Sequence, residues 1–135
     1  MEGGSPAVSK TAKSILVVDD NPDVCAFMRV ALEGAGYEVQ TVSEGTQMLP
    51  LLRKHPTDLL ITDIFMPVQE GFETIEQCKT QFPKINVIAM SAGSTRGMTH
   101  DFLETASLLG VDATLRKPFG VDQLLDTVRR VLQTR

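Results

Sequence analysis

The stretch "ILVVDDNP", Ile15 to Pro22, sets four aliphatic residues directly against two carboxylates. An unbroken apolar run of this length predicts a strand buried on both faces, as in a parallel sheet covered by helices. Asn21 is a good N-cap and Pro22 suits the first position of a helix. Asp19 and Asp20 therefore fall in the turn between a buried strand and a helix, and two like charges side by side at the end of a buried run need a reason.

The same alternation continues along the chain. Val24, Phe27, Met28, Ala31 and Leu32 repeat at helical spacing, and Gly34 and Gly36 end that helix. Tyr37–Val42 reads as a second strand. A helix follows from about Ser43 to Lys54, and Pro50 inside it predicts a kink or a later start. Leu59–Thr62 is a third strand ending at Asp63, followed by a helix over Gly71 to Gln81. Asn86–Met90 is a fourth strand ending at Ser91. After the loop "AGSTRGMTH" a helix carries Phe102, Leu103, Ala106 and Leu109. Ala113–Leu115 is a short fifth strand before "RKPF", and the last helix presents Val121, Leu124, Leu125, Val128 and Leu132 on one face. Five strands alternating with five helices predict an α/β fold, a doubly wound parallel sheet of order 2-1-3-4-5. Its crevice lies beyond the carboxyl ends of strands one and three, where the winding reverses. Asp19, Asp20 and Asp63 belong there, with Ser91 and Lys117 at the ends of strands four and five.

Composition bounds what this arrangement can be. At 135 residues the chain suffices for one domain with a real core. Its net charge of -4 argues against binding nucleic acid through a phosphate backbone. No apolar run approaches the roughly 18 residues needed to cross a bilayer, so no membrane is expected. Cys25 and Cys78 lack zinc-site spacing and read as reduced thiols on apolar helix faces, consistent with a cytoplasmic protein. Residues 1–13 read as a disordered leader and 14–135 as the domain. His55 and His100 have no partners at ligand spacing, and Arg129, Arg130 and Arg135 read as complements to a helix dipole.

Three carboxylates converging on one point repel. At about 4 Å and an effective dielectric of about 20, each pair costs on the order of 4 kcal/mol. A cation relieves that, and hard oxygen donors with room for water suit Mg2+, with Mn2+ as a substitute. Carboxylate, cation, lysine and hydroxyl together are the parts of an aspartyl-phosphate site, the carboxylate serving as nucleophile.

The blocks "ILVVDDNP", "LLITDIFMPVQEG", "VIAMSAG" and "LRKPF" resemble those of response-regulator receiver domains of the CheY-like (βα)5 fold. The resemblance runs from about Ser14 to Arg135, and its specificity lies in the four blocks occurring in order at the right element ends. It implies a phosphoacceptor module of a two-component system. Asp63 would take phosphate from a histidine of a sensor kinase or histidine phosphotransfer protein. Asp19, Asp20 and the backbone carbonyl of Phe65 would join Asp63 in holding Mg2+, Asp20 more directly than Asp19. Ser91 would be the switch hydroxyl and Lys117 the partner of the acceptor carboxylate or phosphate, with a cis Lys117–Pro118 bond. The output surface would surround the helix bearing Phe102, the fifth strand and the last helix, and would engage a downstream protein target.

Two features depart from the pattern. Thr114 stands where many of these domains carry an aromatic switch residue, and the Ser91-to-Lys117 interval is about four residues longer than in the commonest ones, as in certain stand-alone receivers. The loop Gly93–Thr99 is then the expected reporter of phosphorylation. Phe65, bulky and apolar where many receivers have a small or polar residue, is expected to exclude water and lengthen the life of the phosphoryl group. Rival readings are a receiver-like interaction module that no longer accepts phosphate, a receiver that is part of a larger regulator or hybrid kinase, and a metal-dependent phosphohydrolase. Phe65 disfavours the last, because such enzymes pair the nucleophile with a second Asp two residues on.

Overall fold

A computed structural model describes residues 12–64, 71–92 and 109–133. Five strands, β1 (Ser14–Val18), β2 (Glu38–Val42), β3 (Leu59–Asp63), β4 (Asn86–Ala92) and β5 (Ala113–Lys117), form one parallel sheet of order β2-β1-β3-β4-β5. Helices α1 (Pro22–Gly34), α2 (Met48–Lys54), α3 (Gly71–Gln81) and α4 (Val121–Gln133) cover it. The expected helix carrying Phe102, Leu103 and Ala106, like the Gly93–Thr99 loop, Phe65, His100 and Arg135, lies outside the described residues.

Period-two alternation divides the core between the two faces of the sheet. Leu16, Val18, Leu60, Val87 and Ala89 face α2 and α3, where Met48, Leu52, Ile75 and Cys78 meet them. Ile15, Val17, Leu59, Ile61, Ile88, Met90 and Leu115 face α1 and α4, against Met28, Leu32, Leu124, Val128 and Val131. Both β1 and β3 are buried along their whole length, as the unbroken aliphatic runs require.

The local signals act as expected in most places. Asn21 caps α1 by accepting the Asp23 N–H at 2.8 Å, and Pro22 opens the helix. Gly36 takes the left-handed conformation after α1, with φ 99°. Pro50 delays its helix: a 3-10 turn over Gly45–Gln47 comes first, and α2 begins at Met48, which puts Pro50 in the first turn where a missing N–H costs nothing. The sequence reading cut two strands short. β4 runs on to Ala92 and β5 to Lys117, so Ser91 and Lys117 belong to paired strands, with Ser91 opposite Arg116 and Ala92 opposite Lys117.

Arg29 stabilises the open edge of the sheet. Across β1, Glu38 N–H bonds the Lys13 carbonyl and the Val42 carbonyl accepts from Asp19 N–H, so by alternation Val39 and Thr41 turn their peptide groups outward. The Arg29 guanidinium donates to the Val39 carbonyl at 3.0 Å and reaches Thr41 Oγ1 at 3.4 Å, while pairing with Glu33 on its own helix. Arg29→Ala removes that cover and is expected to lower the unfolding free energy by about 1 kcal/mol. Urea denaturation checks this, and an unchanged midpoint contradicts it.

Candidate functional site

The carboxyl ends of β1, β3 and β5 bring their terminal polar side chains together. Asp19, Asp20 and Asp63 each offer a carboxylate oxygen within 4.8 Å of the others, making them the one group of potential metal-ligating side chains among the described residues. Asp19 is fully buried, Asp63 is 5% exposed, and Asp20 faces solvent. Lys117 enters the cluster from β5. Its Nζ donates to Asp19 Oδ2 at 2.7 Å and to Asp63 Oδ2 at 3.3 Å. The Lys117–Pro118 peptide is cis, as expected.

The shorter of these two bonds was not foreseen. Lys117 was expected to pair with the acceptor carboxylate, but its closer partner is Asp19, which spends its other oxygen on the Asn21 N–H at 2.9 Å. Asp19 thus ties the lysine to the start of α1. Burial alone pushes the Lys117 ammonium down. The hydrogen bond to Asp19 and the charges of Asp63 and Asp19 outweigh that, and the net result lies above its ordinary value of 10.5. With three carboxylates and one ammonium, the cluster carries a net charge of -2.

Asp63 ends β3 opposite Met90 of β4, and Ser91 is the next residue along, fully buried. The backbone just past Asp63 is fixed on two sides, since Ile64 N–H bonds the Met90 carbonyl at 3.0 Å and Gly71 N–H reaches the Ile64 carbonyl at 3.4 Å. Thr114 lies opposite Ala89, half-buried, on the sheet face that carries α2 and α3.

The donor set fits a small hard cation: oxygen ligands only, excess negative charge, and an open side for water. A groove of about 660 Å³ runs from Asp19 and Asp20 past Cys25 and Arg29 to Ser43 and Gln47. On the other side of Lys117 an apolar cleft of about 290 Å³ is lined by Val24, Phe27, Pro118 and Phe119. Cys25 borders the site without joining the cluster. Its thiol donates to the Asp19 backbone carbonyl at 3.3 Å, and burial, followed by the Asp19 charge, raises its pKa. Cys78 is a buried core thiol pushed up to about 11 by desolvation. Both are free, as expected for structural thiols. Arg129 and Arg130 pair with Asp126 on the exposed side of α4.

Sequence reasoning missed two residues near the site. Arg29 lines the groove, and the signal for it was a lone cation on the polar side of an amphipathic helix, which does not say where the side chain reaches. Gly71 was read as a helix start and the end of a sequence block, and nothing in the sequence reports how closely it approaches Asp63.

A doubly wound sheet with acidic side chains and a lysine at its winding switch defines a CheY-like α/β module. The chain belongs to the response regulator receiver domain family, whose model matches residues 15–129. It is 33% identical to the response regulator GtcR of Aneurinibacillus migulanus over 121 residues, 89% of this chain and 46% of that protein. It is 35% identical to the transcriptional regulatory protein ZraR of Klebsiella oxytoca over 118 residues, 87% of this chain and 26% of that protein. The chain therefore spans less than half the length of these relatives. Among solved structures, Vibrio cholerae chemotaxis protein CheY4 superposes with a TM-score of 0.80 at 29% identity, covering 89% of this chain and 98% of that one. NtrX from Brucella abortus gives 0.84 at 26% identity, covering 91% and 27% respectively. The chain is thus a receiver domain of the two-component response regulators, a signalling module. Among the described residues no helix is long and apolar enough to cross a membrane.

Proposed function

We propose that this receiver accepts a phosphoryl group on Asp63 in a reaction that requires a divalent cation held by Asp19, Asp20 and Asp63. The observation that carries the reading is the convergence of three carboxylate oxygens within 4.8 Å with Lys117 bonded to two of them. Such a cluster carries excess negative charge alone, and a divalent cation offsets it.

An Asp63 oxygen attacks phosphorus, an oxygen–phosphorus bond forms, and the bond from phosphorus to the donor's leaving group breaks. In a histidine donor the leaving group is the imidazole. A divalent cation bound at the acidic cluster, Mg2+ or Mn2+, supplies charge neutralisation for the phosphoryl oxygens. Lys117, already within reach of Asp63, holds a phosphoryl oxygen after transfer. Ser91, one residue beyond the partner of Asp63 in β4, donates its hydroxyl to another. The ammonium that served the carboxylates then serves the phosphate, and the change passes outward through β4 and β5. Attack by water on phosphorus breaks the bond to the Asp63 oxygen, releases inorganic phosphate and restores the carboxylate, so the domain turns over its own modification and no external substrate. The donor is a sensor kinase or a histidine phosphotransfer protein, and the recipient of the signal is a downstream protein. The apolar cleft beside Lys117 gives a protein donor a place to seat next to the acceptor.

The test is incubation with Mg2+ and a small-molecule phosphodonor, followed by intact mass measurement. One phosphoryl adduct per chain is expected, and chelation of the metal before donor addition prevents it. A wild-type chain that stays unmodified at saturating Mg2+ overturns the acceptor reading and leaves an interaction module of the same fold.

A further inference from the structure

We propose that Gly71 is a positioning residue for the acceptor, its missing side chain letting the start of α3 clamp the Asp63–Ile64 backbone. The inference rests on Asp63 being the phosphoacceptor. A Cβ built on Gly71 overlaps the Ile64 Cα and the Asp63 carbonyl oxygen and lies 3.0 Å from the Asp63 carbonyl carbon. These are backbone atoms at the end of a fully buried strand, so no rotamer change relieves the overlap. Gly71 is the first residue of helix α3, in contrast to Gly36 and Gly110, which take positive φ. Its glycine is therefore required by space rather than by backbone conformation.

The Ile64 residue is held from two directions, by its N–H to the Met90 carbonyl in β4 and by its carbonyl from the Gly71 N–H in α3. The carboxylate of Asp63 hangs from the peptide that precedes this clamp. A methyl group at residue 71 moves that peptide, and the acceptor oxygen moves with it relative to Lys117, which reaches it from β5 at 3.3 Å. Asp19 and Asp20 lie in the turn after β1 and keep their places. The clamp thus sets the line of attack at phosphorus, and of the three carboxylates proposed to hold the cation it moves only one.

The experiment compares wild type, Gly71→Ala, Gly34→Ala and Asp63→Asn in phosphorylation by a small-molecule phosphodonor, with Mg2+ affinity measured separately by calorimetry. Gly34 has nothing within 4 Å of its Cβ position and serves as the control for adding a methyl group. For Gly71→Ala the maximal rate at saturating Mg2+ and donor is expected to fall by on the order of tenfold to a hundredfold, with the half-saturating donor concentration unchanged and Mg2+ affinity falling much less than the rate. Gly34→Ala keeps the wild-type rate. A wild-type maximal rate in Gly71→Ala overturns the proposal, as does an equal loss of rate and Mg2+ affinity, which marks general damage to the site. If wild type itself takes no phosphoryl group, or Asp63→Asn still takes one, the acceptor reading has failed and the positioning role falls with it. Should Gly71→Ala not fold, amide exchange in the wild-type protein decides. Protection of the Ile64 and Gly71 amides matching that of Ile61 supports the clamp, and exchange at unprotected rates overturns it.

Discussion

Asp63→Asn is expected to take no phosphoryl adduct under conditions that saturate the wild type, and to be the more stable protein. The amide keeps the shape of the carboxylate but lacks a negatively charged oxygen to attack phosphorus, so the loss should be complete rather than partial. The stability gain follows from the charges. Carboxylates with oxygens about 4.8 Å apart repel by on the order of 3 kcal/mol at an effective dielectric of about 20. Against this stands its bond to Lys117, the longer of the two that the lysine makes, 3.3 Å against 2.7 Å. Removing its charge takes the cluster from -2 to -1 and leaves Lys117 with its nearer partner. After discounting for solvent at the open side of the site, a net gain of about 1 kcal/mol is expected in urea denaturation at neutral pH without divalent cation. A less stable variant would mean that the lysine's attraction to Asp63 outweighs the repulsion among the carboxylates.

Much of this architecture is legible in the chain because it rests on patterns of period two and 3.6. The runs Ile15–Val18 and Leu59–Thr62 read as central strands, which places Asp19 and Asp63 at the winding switch. Lys117 was legible through the block around it. What periodicity could not give is which oxygen an ammonium prefers. That depends on differences of tenths of an ångström at the ends of three strands, and so the Lys117–Asp19 bond was missed. Strand ends were misjudged for a related reason: Ser91 and Lys117 are polar, and polarity was taken to end a strand, whereas backbone pairing continues wherever the neighbouring strand continues. Close approach is the other blind spot. Gly34, Gly71 and Gly120 are the same letter, yet only Gly71 has backbone where a side chain would be. The same limit hid Asp58 and Asp112, whose carboxylates accept the Ser14 N–H and the Val87 N–H at 2.8 Å near the opposite end of the sheet and help fix the strand ladder from which the site projects.

Lys117→Met is expected to be the most destabilising single change among the charged residues of the site. The substitution keeps the length and apolar stem of the side chain and removes only the ammonium. Asp19, with no exposed surface, then loses its 2.7 Å cation, and Asp63 loses its own. Leaving a buried carboxylate without its partner costs about 3–5 kcal/mol in a dry interior; with Lys117 itself 20% exposed, about 2–3 kcal/mol is the expected loss here. The pH dependence gives an independent reading. The lysine's folded pKa is raised, so its stabilisation is fully present below the unfolded value of 10.5 and disappears as pH rises through the folded value above it. The stability difference between wild type and variant should therefore stay level through neutral pH and shrink only beyond 10.5. Divalent cation supplies a third reading. A ligand that binds only the folded state stabilises by about 2.7 kcal/mol at a hundred times its dissociation constant. In the variant the acidic cluster carries -3 rather than -2, so the cation binds it more tightly and the increment at a fixed Mg2+ concentration should be larger than in wild type. Phosphorylation should nonetheless remain slow at saturating Mg2+, because the ammonium that would hold the transferred oxygen is gone. Urea denaturation with and without Mg2+, across neutral and alkaline pH, checks all of this. If the variant matches wild type in stability without metal, Lys117 is not the counter-ion that keeps the three carboxylates together.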